Sequence, residues 1–387
     1  MYQSDPEHIA MLRQSIRRFL EKEATRAQMA QWDAADKVPR SVFSKIVELG
    51  VCGTTIPEEF GGTGRDVLAT MVTVEELSRR SMVIGTFYLM NTCYGSMNIL
   101  ASGSDEQKAR LLPRLANGEL LFAYGLSEPD VGSDLASVTT RAERRGDTVV
   151  INGAKRWCSG AEIADYIYAL VRSGEPGDRY RNLALVLIPP TAPGVRLTHI
   201  PAIGARGLNT NDVSFDNVEI PFSDVIGGAE GWNNGWPRLV GPALEIEKLE
   251  VAAMALGIAA QAVDDAWDYA QQRSQFGKRI CAIQSIRHML AEVQTKLLAC
   301  RLMLYQACWL ADNGRPCSVE SSMAKMYIGD VGVEIVLTCQ RVMGAYGYAQ
   351  GFDMERYVRD MLLMPIIGGS TAIQKNNIAN RMGLPKA

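Results

Sequence analysis

Histidine is nearly missing from this chain: there are three, His8, His199 and His288, far apart in sequence. Zinc catalysis or a Ser-His-Asp relay therefore starts with few candidates. The eight cysteines are scattered and form no C-x-x-C pair, so neither a disulfide scaffold nor a thiol redox motif is implied, and a reducing cytoplasm is the expected compartment. No apolar run approaches the ~20 residues of a membrane-spanning helix. The opening Met1 to Glu7 lacks a basic segment followed by an apolar one, so no secretory signal is expected. Net charge is only −3 and no basic run points to nucleic acid. The dinucleotide-binding turn G-x-G-x-x-G is also absent.

What is present is ordinary globular material, 47% hydrophobic and 21% charged, in a chain of 387 residues, long enough for two or three domains. The first stretch reads as helical: Ile9, Leu12, Ile16, Phe19 and Leu20 recur at helical spacing, and helix is expected again over Leu68 to Leu77 and Met82 to Leu100. Near Phe122 the character changes. Thr148 to Gly153, Tyr166 to Val171, Leu183 to Ile188 and Val213 to Pro221 are strand-length runs with no long helical pattern between them. That favours an antiparallel barrel or sandwich over a doubly wound sheet. From about Trp236 helices return, over Ala243 to Gln272, Ile283 to Asn313, Ser318 to Met343 and Thr371 to Met382. The expected class is α+β, with a helical domain over 1–120, a β domain over 121–235 and a helical bundle over 236–387.

The most specific segment runs Tyr124-Gly-Leu-Ser-Glu-Pro-Asp-Val-Gly-Ser-Asp134, followed by Asn152-Gly-Ala-Lys-Arg-Trp-Cys-Ser-Gly160. The first closely resembles the acyl-CoA dehydrogenase signature, and the second is similar to that family's Asn-Gly-x-Lys-x-Trp-x-Ser/Thr. Ile56 to Gly62, Arg273-Ser-Gln-Phe-Gly277 and Arg359-Asp360 follow in family order. The resemblance covers essentially the whole chain.

It implies a helical, β, helical fold that holds FAD without a nucleotide-binding sheet, with an electron-transfer flavoprotein as electron acceptor and assembly as a homotetramer. It also implies roles for particular residues. Leu126 and Ser127 would meet the pyrimidine edge of the flavin, and Trp157 and Ser159 would flank its ring. Arg273 would reach the FAD of a neighbouring subunit, with Phe276 and Gln284 beside it. Ser370 stands where the family has a threonine at the flavin. Two positions depart from the family: Arg341 replaces a glutamine and Ala345 replaces a glycine, both beside the cofactor diphosphate. Ser133, Glu245, Lys248 and Gly369 fall at or beside substrate positions, with Lys248 standing where an arginine is usual.

The chemistry needs a carboxylate to take the α-proton of the thioester. Many family members carry it in a late loop, where this chain has Gly368 and Gly369. Others, such as the isovaleryl-CoA and long-chain enzymes, carry it on a helix, at the position of Glu247. Glu245 lies about 200° round the helix from Glu247 and cannot share its face. Glu250 is one turn on and roughly co-facial, but does not match the family position. The backbone N–H of Gly368 would still donate to the thioester carbonyl. The expected reaction is α,β-dehydrogenation of an acyl-CoA. An enoyl-CoA reductase, an acyl-CoA oxidase and a non-catalytic flavin-binding protein are the alternatives.

Overall fold

The first long helix, Glu7–Glu23, buries Ile9, Ile16, Phe19 and Leu20, the stripe read from their spacing. The computed structural model describes residues 5–175 and 177–385. Further helices span Val67–Arg80 and Asp105–Ala116, the latter opened by a reciprocal Ser104/Gln107 capping box.

The helix expected from Met82 to Leu100 is interrupted. It is α-helical over Met82–Asn91, widens into π-helix over Thr92–Met97 and resumes over Asn98–Ser102. The cause is tertiary. Ser96 Oγ and Asn98 Nδ2 donate to carbonyls five residues back, Asn91 at 3.0 Å and Cys93 at 3.1 Å. At Gly95 the neighbouring helix comes so close that a Cβ would sit 2.5 Å from Leu115 Cδ2. Single π turns inside α-helices often mark functional sites.

Seven strands form the middle sheet: β1 (Phe122–Gly125), β2 (Arg141–Arg145), β3 (Thr148–Ser159), β4 (Tyr166–Arg172), β5 (Leu183–Ile188), β6 (Val195–His199) and β7 (Thr210–Pro221). Their order is β1-β4-β2-β3-β7-β6, with β5 also on β4. Pairing is antiparallel except that β1 runs parallel to β4 and one residue pair joins β2 to β4 in parallel. β5 is buried on both faces, whereas β7 alternates for most of its length. The two therefore carry different patterns, a continuous apolar run and an alternation.

The C-terminal bundle comprises Pro242–Gln272, Gln284–Asp312, Ser318–Met343 and Thr371–Arg381. Buried charges fasten it to the rest. Arg13 donates to Glu76 at 2.6 Å and to Glu75 at 3.1 Å, and Glu75 accepts from Tyr305 at 2.7 Å and Arg301 at 3.0 Å. Arg359 forks onto Asp33 at 2.8 and 3.2 Å, while Asp360 accepts from the Ala205 amide at 2.8 Å. The Arg359-Asp360 motif thus locks the β6–β7 loop against both helical domains. Among the described residues no helix is long and apolar enough to cross a membrane.

Candidate functional site

Glu247 lies in the first third of the Pro242–Gln272 helix, only 8% exposed. Burial pushes its carboxyl up to about 7, and the charges of Lys248 and Lys325 pull the other way. Its neighbours come from two other elements. Cys93 and Tyr94 belong to the π turn and Tyr124 to β1; all three are raised chiefly by burial, and the Glu247 charge adds to each. Tyr94 and Tyr124 stack with ring centroids 3.9 Å apart, and Asn98 Nδ2 donates to the Tyr124 hydroxyl at 2.7 Å. Tyr124 leads directly into Leu126 and Ser127, so Glu247 and that loop lie on the same side of the domain junction.

The neighbouring acids have different surroundings. Glu245 is committed to the fold: it accepts from Lys248 Nζ at 2.7 Å, Ser321 Oγ at 2.8 Å and Arg381 at 3.1 Å. Lys248 is buried and spent on Glu245 and on Ser322 Oγ at 3.2 Å. Glu250 is 0% exposed and neither of its carboxyl oxygens has a hydrogen-bond partner; the Cys93 thiol and Thr92 hydroxyl face it without making a full bond. Burial first, then the Glu247 charge, hold Glu250 well above the carboxylate range.

The Gly368–Gly369 loop packs beside this helix. Both residues have left-handed φ, +61° and +74°, and a Cβ on Gly368 would lie 2.9 Å from Val251 Cγ2. Val251 is one turn on from Glu247, so the loop meets the helix on the Glu247 face. Gln374 Nε2 donates to the carbonyls of Gly368 and Gly369 at 2.9 and 3.1 Å, which holds the loop. Ser370 caps the following helix by accepting from the Ile373 amide, and Thr371 Oγ1 donates to Asp330 at 2.7 Å.

In the β domain a buried ion pair ties the loop of Leu126 and Ser127 to β3, the strand that carries Trp157 and Ser159. Lys155 Nζ, wholly enclosed beneath β3, donates to Glu128 at 2.8 Å and to the Leu126 carbonyl at 3.2 Å. Glu128 also accepts from the Thr139 and Thr140 amides at 2.7 and 2.9 Å. Although burial acts to raise it, Lys155 and these donors hold Glu128 down to about 2. The Ser127 carbonyl accepts from the Arg156 amide at 2.9 Å, crossing the two motifs. Next along, Trp157 stands at a bulge with φ +65° and its side chain is 56% exposed. A left-handed, half-exposed tryptophan at a strand bulge is a feature of the kind that clusters at functional sites, and the Arg156 guanidinium lies 4.8 Å from its ring centre. Ser159 Oγ pairs with Thr210 Oγ1 at 2.9 Å.

The remaining expected residues sit on the bundle. Arg273 and Phe276 belong to a small hairpin, Ser274–Gln275 with Lys278–Arg279; Phe276 tops it, 92% exposed. The Arg273 guanidinium lies 5.7 Å from the ring centre of Tyr346, next to Ala345. Gln284 begins its helix, and Gln284, Arg341 and Ala345 are exposed, as is Ser133 on the β domain.

Sequence reading had singled out neither Lys325 nor the π-turn residues Cys93 and Tyr94, and had set Glu250 aside. No local pattern signals them, because each is defined by contacts between distant elements.

Three family models match in chain order: "Acyl-CoA dehydrogenase, N-terminal domain" over residues 6–119, "Acyl-CoA dehydrogenase, middle domain" over 123–218 and "Acyl-CoA dehydrogenase, C-terminal domain" over 233–383. An acyl-CoA dehydrogenase of Bacillus subtilis (strain 168) is 33% identical over 366 residues, 94% of this chain and 95% of that one. The caffeyl-CoA reductase-Etf complex subunit CarC of Acetobacterium woodii is 30% identical over 376 residues, 96% of this chain and 97% of that one. The solved glutaryl-coenzyme A dehydrogenase glutaryl-CoA complex matches with TM-score 0.92 at 31% identity, over 100% of this chain and 98% of that chain. The FAD complex of PigA matches with TM-score 0.91 at 25% identity, over 99% and 100%.

Proposed function

The chain belongs to the acyl-CoA dehydrogenase family, and from that premise we propose that it desaturates an acyl-CoA thioester between its α and β carbons, with Glu247 as the base. Family membership makes it an oxidoreductase acting on CH–CH bonds of acyl-CoA thioesters, and the family binds FAD.

The residues fit that cofactor. Trp157 offers a half-exposed aromatic ring with the Arg156 guanidinium 4.8 Å from its centre, and Ser127, in the loop after β1, and Ser159, on β3, belong to the segments tied by the Lys155–Glu128 pair. Arg273 supplies a cation for a diphosphate, in our reading that of a neighbouring subunit, with Phe276, Gln284, Arg341, Ala345 and Ser370 beside the cofactor. The chemistry FAD would supply when bound there is acceptance of the β-hydrogen as hydride.

The protein's own part is proton transfer and charge stabilisation. Glu247, near neutrality in its affinity for protons, takes the α-proton. The Gly368 amide donates to the thioester carbonyl as negative charge develops there. Ser133 and Gly369 would meet the CoA substrate. Glu245 and Lys248, proposed from the sequence to meet the substrate directly, act in this reading through the walls of the site, since both are spent on each other.

One observation carries the proposal: the buried Glu247 carboxyl, pushed up by burial, lies on the helix face that the Gly368 loop packs against. Loss of flavin absorbance on anaerobic addition of acyl-CoAs tests it. Bleaching by wild type and none by Glu247→Gln is expected; equal bleaching would overturn the assignment.

The Acetobacterium woodii relative, part of a reductase-Etf complex, supports an electron-transfer flavoprotein as partner and keeps enoyl-CoA reduction as the second reading. Comparing the rates of flavin bleaching by acyl-CoA and of reoxidation by enoyl-CoA decides between them. A homotetramer is proposed from the uncovered apolar side chains on the bundle, Phe276, Leu298, Leu302 and Trp309. Free thiols at all eight cysteines suit the cytoplasm.

A further inference from the structure

Lys325 is a buried lysine without a hydrogen bond. It is 1% exposed, its Nζ is sealed from solvent, and no acceptor meets it. Burying an unpaired ammonium costs several kcal/mol, so its retention calls for a compensating group. The register of two helices says where that group lies. Ser321 meets Glu245 and Ser322 meets Lys248, at 2.8 and 3.2 Å. Lys325 comes three residues after Ser322 on the same helix, one turn along that contact and on the face turned to the Pro242–Gln272 helix, and its charge acts on Glu247. Its helix also touches that loop through Asp330, which accepts from Thr371 at 2.7 Å.

We propose that Lys325 is the positioning residue of this site: its unpaired ammonium holds the carboxylate form of Glu247 ready for proton abstraction. The inference rests on the assignment of Glu247 as base. The other groups around Glu247 do not fill this role. Lys248 also favours the carboxylate of Glu247, but its ammonium is bonded to Glu245, which also takes Arg381. Glu250, on the same helix face, carries negative charge or none. Cys93, Tyr94 and Tyr124, from the π turn and β1, are neutral or negative. Asp330 lies on Lys325's own helix and shares its charge. Among the described residues whose charge favours the carboxylate of Glu247, Lys325 is the one whose ammonium makes no hydrogen bond. Burial lowers the Lys325 ammonium to about 8, with Asp330 and Glu247 acting against that change.

The test follows the carbonyl infrared band of protonated Glu247 in the flavin-loaded enzyme, assigned by its loss in Glu247→Gln. In Lys325→Met the midpoint of this band moves up by about one pH unit, a tenfold change in proton affinity. Lys325→Arg keeps it within a few tenths of a unit. A structural role alone would change stability in both variants and leave the midpoint in place. An unmoved midpoint in Lys325→Met overturns the inference; should that variant fail to fold, Lys325→Gln is read the same way. The midpoint belongs to the carboxyl whether or not it is the base. Turnover retained in Glu247→Gln would refute the base assignment, while an unmoved midpoint with turnover lost in Glu247→Gln would refute Lys325 alone.

Discussion

Gly368 packs on Val251, one helical turn from Glu247, so closely that a side chain there would displace Val251: a Cβ would stand 2.9 Å from Val251 Cγ2, on a backbone with φ +61°. A side chain at Gly368 would thus meet two obstacles, the approach to Val251 and the left-handed backbone. Glu247 occupies the adjoining face instead.

Gly368→Glu should therefore harm the protein. We expect a loss of ~1–3 kcal/mol in urea unfolding from overpacking and left-handed strain together. Combined with Glu247→Gln, it should restore little turnover, and adding Val251→Ala should restore more. Full rescue by Gly368→Glu alone would show that the loop has room.

The Lys155–Glu128 pair gives a stability prediction with a defined sign. Glu128 is held at about 2, below its ordinary 4.5. Its contribution is present above pH 4.5 and is lost as pH falls from there toward 2. Glu128→Gln, which leaves Lys155 buried without a countercharge, should cost ~3–5 kcal/mol at neutral pH. The gap to wild type should narrow below pH 4.5 in denaturant titrations. A gap that does not change with pH would mean the pair is not what orders this loop.

Trp157 is more than half exposed, its ring met by the Arg156 guanidinium, so removing its side chain should cost the apoprotein little. Trp157→Ala should unfold within ~0.5–1 kcal/mol of wild type without cofactor. Its flavin content after purification, read from absorbance, should fall clearly. A large loss of apoprotein stability with full flavin content would give Trp157 a packing role instead.

The same logic applies at Phe276, which is 92% exposed on a hairpin tip. Phe276→Ser should leave the fold of one chain intact and weaken subunit association in sedimentation equilibrium. An unaltered assembly would remove this tip from the proposed subunit interface.

Much of the architecture was legible because it is repeated locally. Ile9, Ile16, Phe19 and Leu20 declare their helix by spacing, and the continuous apolar run of β5 declares a doubly buried strand. β2, Arg141-Ala-Glu-Arg-Arg145, escaped because only Ala142 on it is buried. β6 escaped for a similar reason, having no fully buried residue. The π turn escaped because Met82 to Leu100 is apolar at helical spacing throughout, and the close approach of Leu115 to Gly95 comes from another helix. Within the candidate site, Glu247 could be singled out by family position, and the reason the loop cannot replace it needed Val251 in space. Lys325 lies 78 residues from Glu247 by their numbers, and only the packing of two helices joins them.

The most direct measurement is the pH dependence of turnover on acyl-CoAs with ferrocenium as acceptor, in wild type and Glu247→Gln. Burial raises Glu247 to about 7, and only its ionised form accepts a proton. Wild-type kcat/KM should therefore rise with pH through about 7 and level off above it, and Glu247→Gln should lose ~10³-fold or more at every pH. A Gln variant that turns over at the wild-type rate with the same pH dependence would contradict the account.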